Sequence, residues 1–257
     1  RSTLFPSTTL FRSLVTLAGA GDVTLAHVEI SYNPASAARV VSVTAGGDIL
    51  SSDGIQTNIV ANTTNALVWL EASHGIGSLT QRVSFNVTSL AATANSGDLD
   101  IGGVTSLHAT SLAAVNGSID VLGAAALQLD SVTAGGSATS TAATTNKGTT
   151  LTATNGPIGL NAGGLIDWTT LNAGTQINVR STAGAVNLDA ATSGGSQTIR
   201  GAEDVNFATL TTNGITGDVG DVGVTSDHVL VQGVTVAANG SATLSAATTN
   251  KGTTLTA

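Results

Sequence analysis

Cysteine and methionine are both absent from the 257 residues. Without cysteine there is neither a disulfide framework nor a Cys-ligated metal. Only seven aromatics occur, 3% of the chain, so a core of packed rings is excluded. Charged residues are 9%, against roughly 25% in an ordinary soluble domain. Lys occurs twice and Glu three times, which excludes helical bundles and coiled coils, whose surfaces are built from those residues. Cations number 8 against 16 acids, a net charge of −8, and an acidic Lys-poor surface argues against nucleic acid and anionic lipid as partners. Long apolar runs are missing, which excludes a membrane-spanning helix, although mean hydropathy is +0.30.

What is present is small. Thr (41), Ala (38) and Gly (31) together exceed two-fifths of the chain. Val, Ile and Leu alternate with polar residues through most of it, which fits poorly with disorder. Thirteen of the 16 acids are Asp, the acid suited to turns, where its short side chain reaches backbone N–H groups.

The segment Thr3–Ser13 resembles the translation of a sequencing-adapter oligonucleotide, with Ser7 departing from that form. Residues 1–13 are therefore set apart as a non-native segment, leaving six cations against 16 acids. The chain begins at Arg1 with no signal peptide and reads as an internal piece of a larger protein.

Repetition is the main signal. Ser137–Ala153 (SATSTAATTNKGTTLTA) and Ser241–Ala257 (SATLSAATTNKGTTLTA) agree at 15 of 17 positions, 104 residues apart. Beneath it runs a shorter pattern of Gly, any residue, apolar, any residue, apolar. It occurs at Gly21, Gly97, Gly117, Gly156, Gly184 and Gly240, with a degenerate copy at Gly136. Gly97, Gly117, Gly136 and Gly156 are 20, 19 and 20 residues apart, while Gly21, Gly47 and Gly75 are spaced more widely, which predicts longer coils there.

Alternation at period two marks a strand with one buried face. The preceding Gly predicts a tight turn, often with positive φ. No 20-residue unit can bury its own apolar stripe, so successive units must cover one another. The predicted fold is all-β, a parallel β-helix (β-solenoid) with coils of about 20 residues, filling residues 14–257 as one repeat region truncated at both ends. An antiparallel sandwich is the competitor, disfavoured by the constant short step. Ser140 stands where the sister repeat has Leu244 and, facing inward, needs a backbone acceptor.

The coil pattern, the phrase Ala162-Gly163-Gly164-Leu165-Ile166-Asp167-Trp168 and the Ala-Thr-Asn repeats resemble the filamentous haemagglutinin family of large bacterial exoproteins, over residues 14–257. The right-handed turn of the helix is part of what that resemblance implies. It also implies a secreted or cell-surface protein of a Gram-negative bacterium, exported by a two-partner or autotransporter route through an outer-membrane transporter. It implies a role in cell adhesion or biofilm formation, with host-cell or surface glycans, proteins or other adhesin copies as partners of the parent. The reading is a non-enzymatic rod or stalk segment, with no catalytic, cofactor or metal residues, no cofactor, no nucleic acid and no membrane insertion of this segment. The alternatives are a β-helical polysaccharide-degrading enzyme and, further off, a Thr-face ice-binding solenoid.

Asp98 and Asp100 fall at i, i+2 on one expected outward face, and Asp100 and Asp120 fall at the same place in consecutive coils. Such carboxylates can hold Ca²⁺ or act as acid and base; solvated surface acids are the ordinary reading. Gly217-Asp218-Val219-Gly220-Asp221 imitates a calcium nonapeptide and reads better as a turn-rich coil. His27, His74, His108 and His228 are scattered and read as isolated surface or turn residues. Asn146-Lys147-Gly148-Thr149 evokes a phosphate loop and reads better as a turn. Trp69 and Trp168 read as packing residues rather than sugar platforms. Asn62, Asn86, Asn116 and Asn239 open N-x-S/T triplets, for which chance suffices in so Asn- and Thr-rich a chain. Thr150-Leu151-Thr152 and Thr152-Ala153-Thr154 offer short Thr faces that do not recur at every coil.

Overall fold

Backbone placement of the apolar alternation decides the architecture. The computed structural model describes residues 2–4, 9–11, 14–52, 57–228, 230–251 and 254–257. Residues 1, 5–8, 12 and 13 of the adapter-like segment lie outside the described residues. The described residues are all-β and contain no helix, so none is long and apolar enough to cross a membrane. The chain divides into two compact units, 1–135 and 136–257, and each is a stack of parallel β-coils.

In unit 136–257, one sheet stacks Ala138–Ala142, Ile158–Ala162, Ile177–Ser181, Gln197–Gly201, Val222–Ser226 and Ala242–Ala246, each parallel to the next. A second stacks Asn146–Ala153, Ile166–Ala173, Val186–Ser193, Val205–Thr212 and Leu230–Ala237. Unit 1–135 repeats the scheme, with Val83–Val87, Leu99–Gly103 and Ile119–Gly123 in one sheet and Ala66–Ala72, Ser89–Ala94, Leu107–Ala114 and Leu127–Ala134 in the other. The sandwich alternative fails because these strand pairs are parallel; the antiparallel contact Ile215–Asp218 is an isolated bridge inside a loop.

Register carries the core from coil to coil. Leu160 lies over Val179, Ile199, Val224 and Leu244 in turn, and the first four are buried. Burying one such aliphatic side chain is worth about 1.5–3 kcal/mol, and the column repeats that gain at every coil. In unit 1–135, Val23, Ile49, Ile76, Leu99 and Ile119 are stacked, so the coils run 26, 27, 23 and 20 residues. The wide glycine spacing there does mark longer coils.

Several strands run to eight residues, longer than the Gly-x-apolar-x-apolar unit. In Ile166–Ala173 the inward residues are Ile166, Trp168, Leu171 and Ala173, with Thr169 and Thr170 both outward. The alternation slips by one in mid-strand, so the chain bends around a corner while its apolar residues stay inside. Val205–Thr212 and Leu107–Ala114 show the same slip.

The turn glycines also serve a different purpose from the one expected. Among the described residues, positive φ occurs at Gly77, Gly214, Gly217, Gly220 and Asn65, not at the glycines that open the strands. Close approach is the reason instead: a Cβ on Gly117 would lie 2.1 Å from the Gly97 carbonyl oxygen of the adjacent coil. Asp plays the complementary part. Asp48 Oδ1 accepts from the Gly75 N–H at 2.7 Å, Asp98 Oδ1 from Ser118 at 2.8 Å and Asp221 Oδ1 from Ser241 at 2.7 Å. Each short carboxylate ties its own turn to the turn of the next coil.

Candidate functional site

The strongest cluster sits on unit 1–135. Asp100, in Leu99–Gly103, pairs in register with Asp120, in Ile119–Gly123, as the repeat spacing predicts; strands so paired lie about 4.8 Å apart. Asp98 does not join them on the strand. It lies in the preceding turn, exposed, bound to the Ser118 backbone.

Solvation, the ordinary expectation for these acids, does not hold for Asp100, which is only 6% exposed. The loop that opens at Gly77 lies against it. Gly77 has φ +71°, and a Cβ there would fall 2.2 Å from the Asp100 carbonyl oxygen. Burial pushes the Asp100 carboxyl up to about 6, the Asp120 and Asp98 charges add to the rise, and Arg82 opposes it. Arg82 is the residue that sequence reasoning missed. It comes from the same loop, ion-pairs with Asp120 and donates from Nη1 to the Leu79 carbonyl at 3.1 Å. Its Nε is buried without a partner among the described residues. No short-range pattern links Arg82 to Asp120, 38 residues on; only the extra length of this coil signalled a loop. Beside the pair runs a groove of about 310 Å³ with Gly102, Gly103 and Gly123 along it and Leu79, Val104 and Leu122 at its rim.

Chemically, the site places a carboxyl that keeps its proton up to about pH 6 beside a second carboxyl that is ion-paired with a guanidinium. Such a pair can divide proton donation from charge stabilisation.

In unit 136–257, Asp218 accepts from the Ser196 hydroxyl, the Ser196 N–H at 3.0 Å, Gln176 Nε2 at 2.9 Å and the Gly220 N–H at 3.0 Å. These bonds, the Ser196 hydroxyl foremost, hold its carboxyl far below the usual range. The turn-rich loop reading therefore fits: the acid is consumed in pinning three segments of chain together. Gly214, Gly217 and Gly220 supply the left-handed turns of that loop.

Asn146-Lys147-Gly148-Thr149 is not a turn but the start of Asn146–Ala153. Asn146 is fully buried and fills the corner between two strands. It donates to the Ser140 carbonyl at 2.9 Å, and its Oδ1 accepts from the Ser140 hydroxyl at 3.2 Å and from Trp168 Nε1 at 3.3 Å. Ser140 is thus satisfied by a side chain rather than by backbone. Trp168 is 1% exposed and packs inside, as expected. Trp69 is half-buried with the Arg39 guanidinium 4.2 Å from its ring centroid.

His108 lies 2.8 Å from Asp130, and His27 Nδ1 lies 2.6 Å from the Thr57 carbonyl. His74 and His228 are exposed and join neither pair. Among the described residues no group of three His, Cys, Asp or Glu gathers to hold a metal. Asn116 and Asn239 spend their amides on carbonyls of the adjacent coil, at 3.0 and 3.1 Å, and Asn86 Oδ1 accepts from Thr105 at 3.4 Å, whereas Asn62 is exposed. The Thr faces recur more than expected. Thr150 stacks on Thr170, and Thr209 on Thr235 and Thr254, with Ala190 interrupting the column.

No family model, no curated protein and no solved structure matches the chain.

Proposed function

We propose that the chain is a non-enzymatic rod or stalk segment of a secreted bacterial surface adhesin, similar to the filamentous haemagglutinins, serving cell adhesion or biofilm formation. One observation carries the reading: in each unit the same coil is laid on itself in register, so length is gained without any new core design. Coils of this kind suit a spacer that holds binding surfaces of the parent away from a Gram-negative cell, after export through an outer-membrane transporter. The partners would be host-cell or surface glycans, proteins or other copies of the adhesin. Electron microscopy and small-angle scattering on the purified chain test the shape, for which the reading expects a thin rod; a compact sphere would remove it. Recovery of the flanking gene tests the export route, since the reading expects a secretion domain upstream.

A second reading, a polysaccharide-degrading enzyme, has a specific observation behind it. Asp100 is buried and raised to about 6 beside Asp120, and carboxyl pairs about 5–5.5 Å apart serve retaining glycosidases. Against it, Asp120 is tied to Arg82 and Asp100 lies under the Gly77 loop. Turnover on a panel of polysaccharides that Asp100→Asn abolishes would favour the enzyme; no turnover favours the stalk.

A further inference from the structure

Cations are scarce in this chain, yet two of them share one face. The sheet of unit 136–257 that contains Ile177–Ser181 and Gln197–Gly201 sets Arg180 in register with Arg200. Both are exposed, on strands about 4.8 Å apart, a spacing at which like charges repel. The outward positions of the six stacked strands are Thr139 and Thr141, Gly159 and Asn161, Asn178 and Arg180, Thr198 and Arg200, Gly223 and Thr225, Thr243 and Ser245. None of these is acidic, in a chain whose net charge is −8.

One acid reaches the pair from its edge. Arg200 Nε donates to both oxygens of Asp227, at 3.1 and 2.9 Å, and its Nη2 lies 2.8 Å from the same carboxylate. Arg180 has no ion pair or hydrogen bond from its side chain among the described residues. The face therefore carries one uncompensated positive charge. Around it lies a groove of about 340 Å³ lined by Gly159, Asn161, Asn178, Arg180, Thr198 and Arg200. That volume is at the small end of ligand sites, which start near ~300 Å³. Gly159 leaves the groove floor open, because a Cβ there would meet only Thr139, at 3.3 Å. The side chains of Asn161, Asn178 and Thr198 are exposed and have no side-chain partner among the described residues.

We propose that the Arg180–Arg200 groove binds a carboxylate-bearing sugar, one uronate residue of an acidic oligosaccharide, with its carboxylate on Arg180 and its hydroxyls on Asn161, Asn178 and Thr198. One spare charge matches one carboxylate, and a planar guanidinium presents paired N–H donors to it. Neutral amides and a hydroxyl that both donate and accept match sugar hydroxyls. Nucleic acid is the poorer fit, since it needs many cations to displace its counterions and stacking rings for its bases, and this face has one spare charge and no aromatic. The inference does not rest on the adhesin reading, and rod shape and ligand binding fail separately.

Calorimetric titration of the full chain with an oligogalacturonate at low salt tests it, with a neutral galacto-oligosaccharide, its sulfated form and inorganic phosphate as comparison arms. Binding of the oligogalacturonate is expected, weakened at least tenfold by Arg180→Gln and tightened several-fold by Asp227→Asn, which frees Arg200. Both positions are exposed, and unchanged circular dichroism is expected for each variant. The proposal is overturned if wild-type protein does not bind the oligogalacturonate, if Arg180→Gln binds equally well, or if the neutral sugar binds as tightly. Binding of the sulfated sugar or phosphate in preference to the uronate likewise overturns it.

Discussion

The ring of Phe207 occupies the space that a side chain on Gly233 would need: a Cβ there would lie 2.1 Å from ring atoms Cε2 and Cζ. The two residues are in register on adjacent coils. The register pairing of ring with glycine recurs, with Phe85 opposite Gly103 and Trp168 opposite Gly148, and all three rings are buried, although a Cβ on Gly103 would meet Leu107 of its own coil, at 2.8 Å, rather than the ring. At Phe207 the coil interior, built otherwise on Ala, Val and Leu, has room for the ring because the next coil gives up its side chain at Gly233. Gly233→Ala is therefore expected to destabilise by about 1–3 kcal/mol through overpacking, although Gly→Ala in an open strand would ordinarily gain stability. Urea unfolding checks this. The double variant Phe207→Leu, Gly233→Ala should lose less than the sum of the singles, because each change relieves the other.

Much of this was legible from residues 97–160. The glycine step near 20 placed Leu99 in register with Ile119, and Ala138 in register with Ile158, as they are. The mid-strand corner in Ile166–Ala173 was not legible, because two outward Thr residues in succession read as a loss of alternation rather than as a bend. The burial of Asp100 was hidden for another reason. It depends on a loop 20 residues upstream that no pattern in the Asp100 strand announces.

The repeat makes its own prediction at the corner. Asn146 and Asn250 are equivalent across the 104-residue offset, and Asn250 donates to the Leu244 carbonyl at 3.1 Å as Asn146 does to Ser140. Asn146 is buried and Asn250 exposed in this chain. Asn146→Ala removes the acceptor for Trp168 Nε1 and the Ser140 hydroxyl and the amide donor to the Ser140 and Asn161 carbonyls, an expected cost on the order of 2–3 kcal/mol. Asn250→Ala is expected to fall within about 0.5 kcal/mol of wild type. Denaturant midpoints compare the two, and Trp168 emission should change in the first variant alone.

Acid should loosen the Asp218 loop. Its carboxyl is held far below the ordinary 3.8 by Ser196, Gln176 and Gly220. A lowered folded-state value means that its stabilisation is complete above pH ~4 and drains away as pH falls through the lowered value. Asp218→Asn should then be less stable than wild type at pH 7, with the gap closing towards pH 2. Thermal melts across that range measure it, and hydrogen exchange at Ser196 and Gly220 should report the same trend locally.

Asp100 runs in the opposite direction. Its carboxyl is raised from 3.8 to about 6, first by burial and then by Asp120 and Asp98. A raised folded-state value means that stability is complete below pH ~4, where folded and unfolded chains both hold the proton. It falls as pH climbs to about 6, because only the unfolded chain ionises freely, and it levels off above that. Asp100→Asn removes the titration and keeps the shape, so it should stabilise the protein at pH 8 by on the order of 1 kcal/mol, after solvent screening. At pH 4 the two proteins should be nearly equal. Arg82→Gln removes the one nearby charge that opposes the shift and should push the Asp100 midpoint higher still. Carbon-detected NMR titration of the carboxyl reads that midpoint directly, and a value near 4 in wild-type protein would sink the buried-acid account.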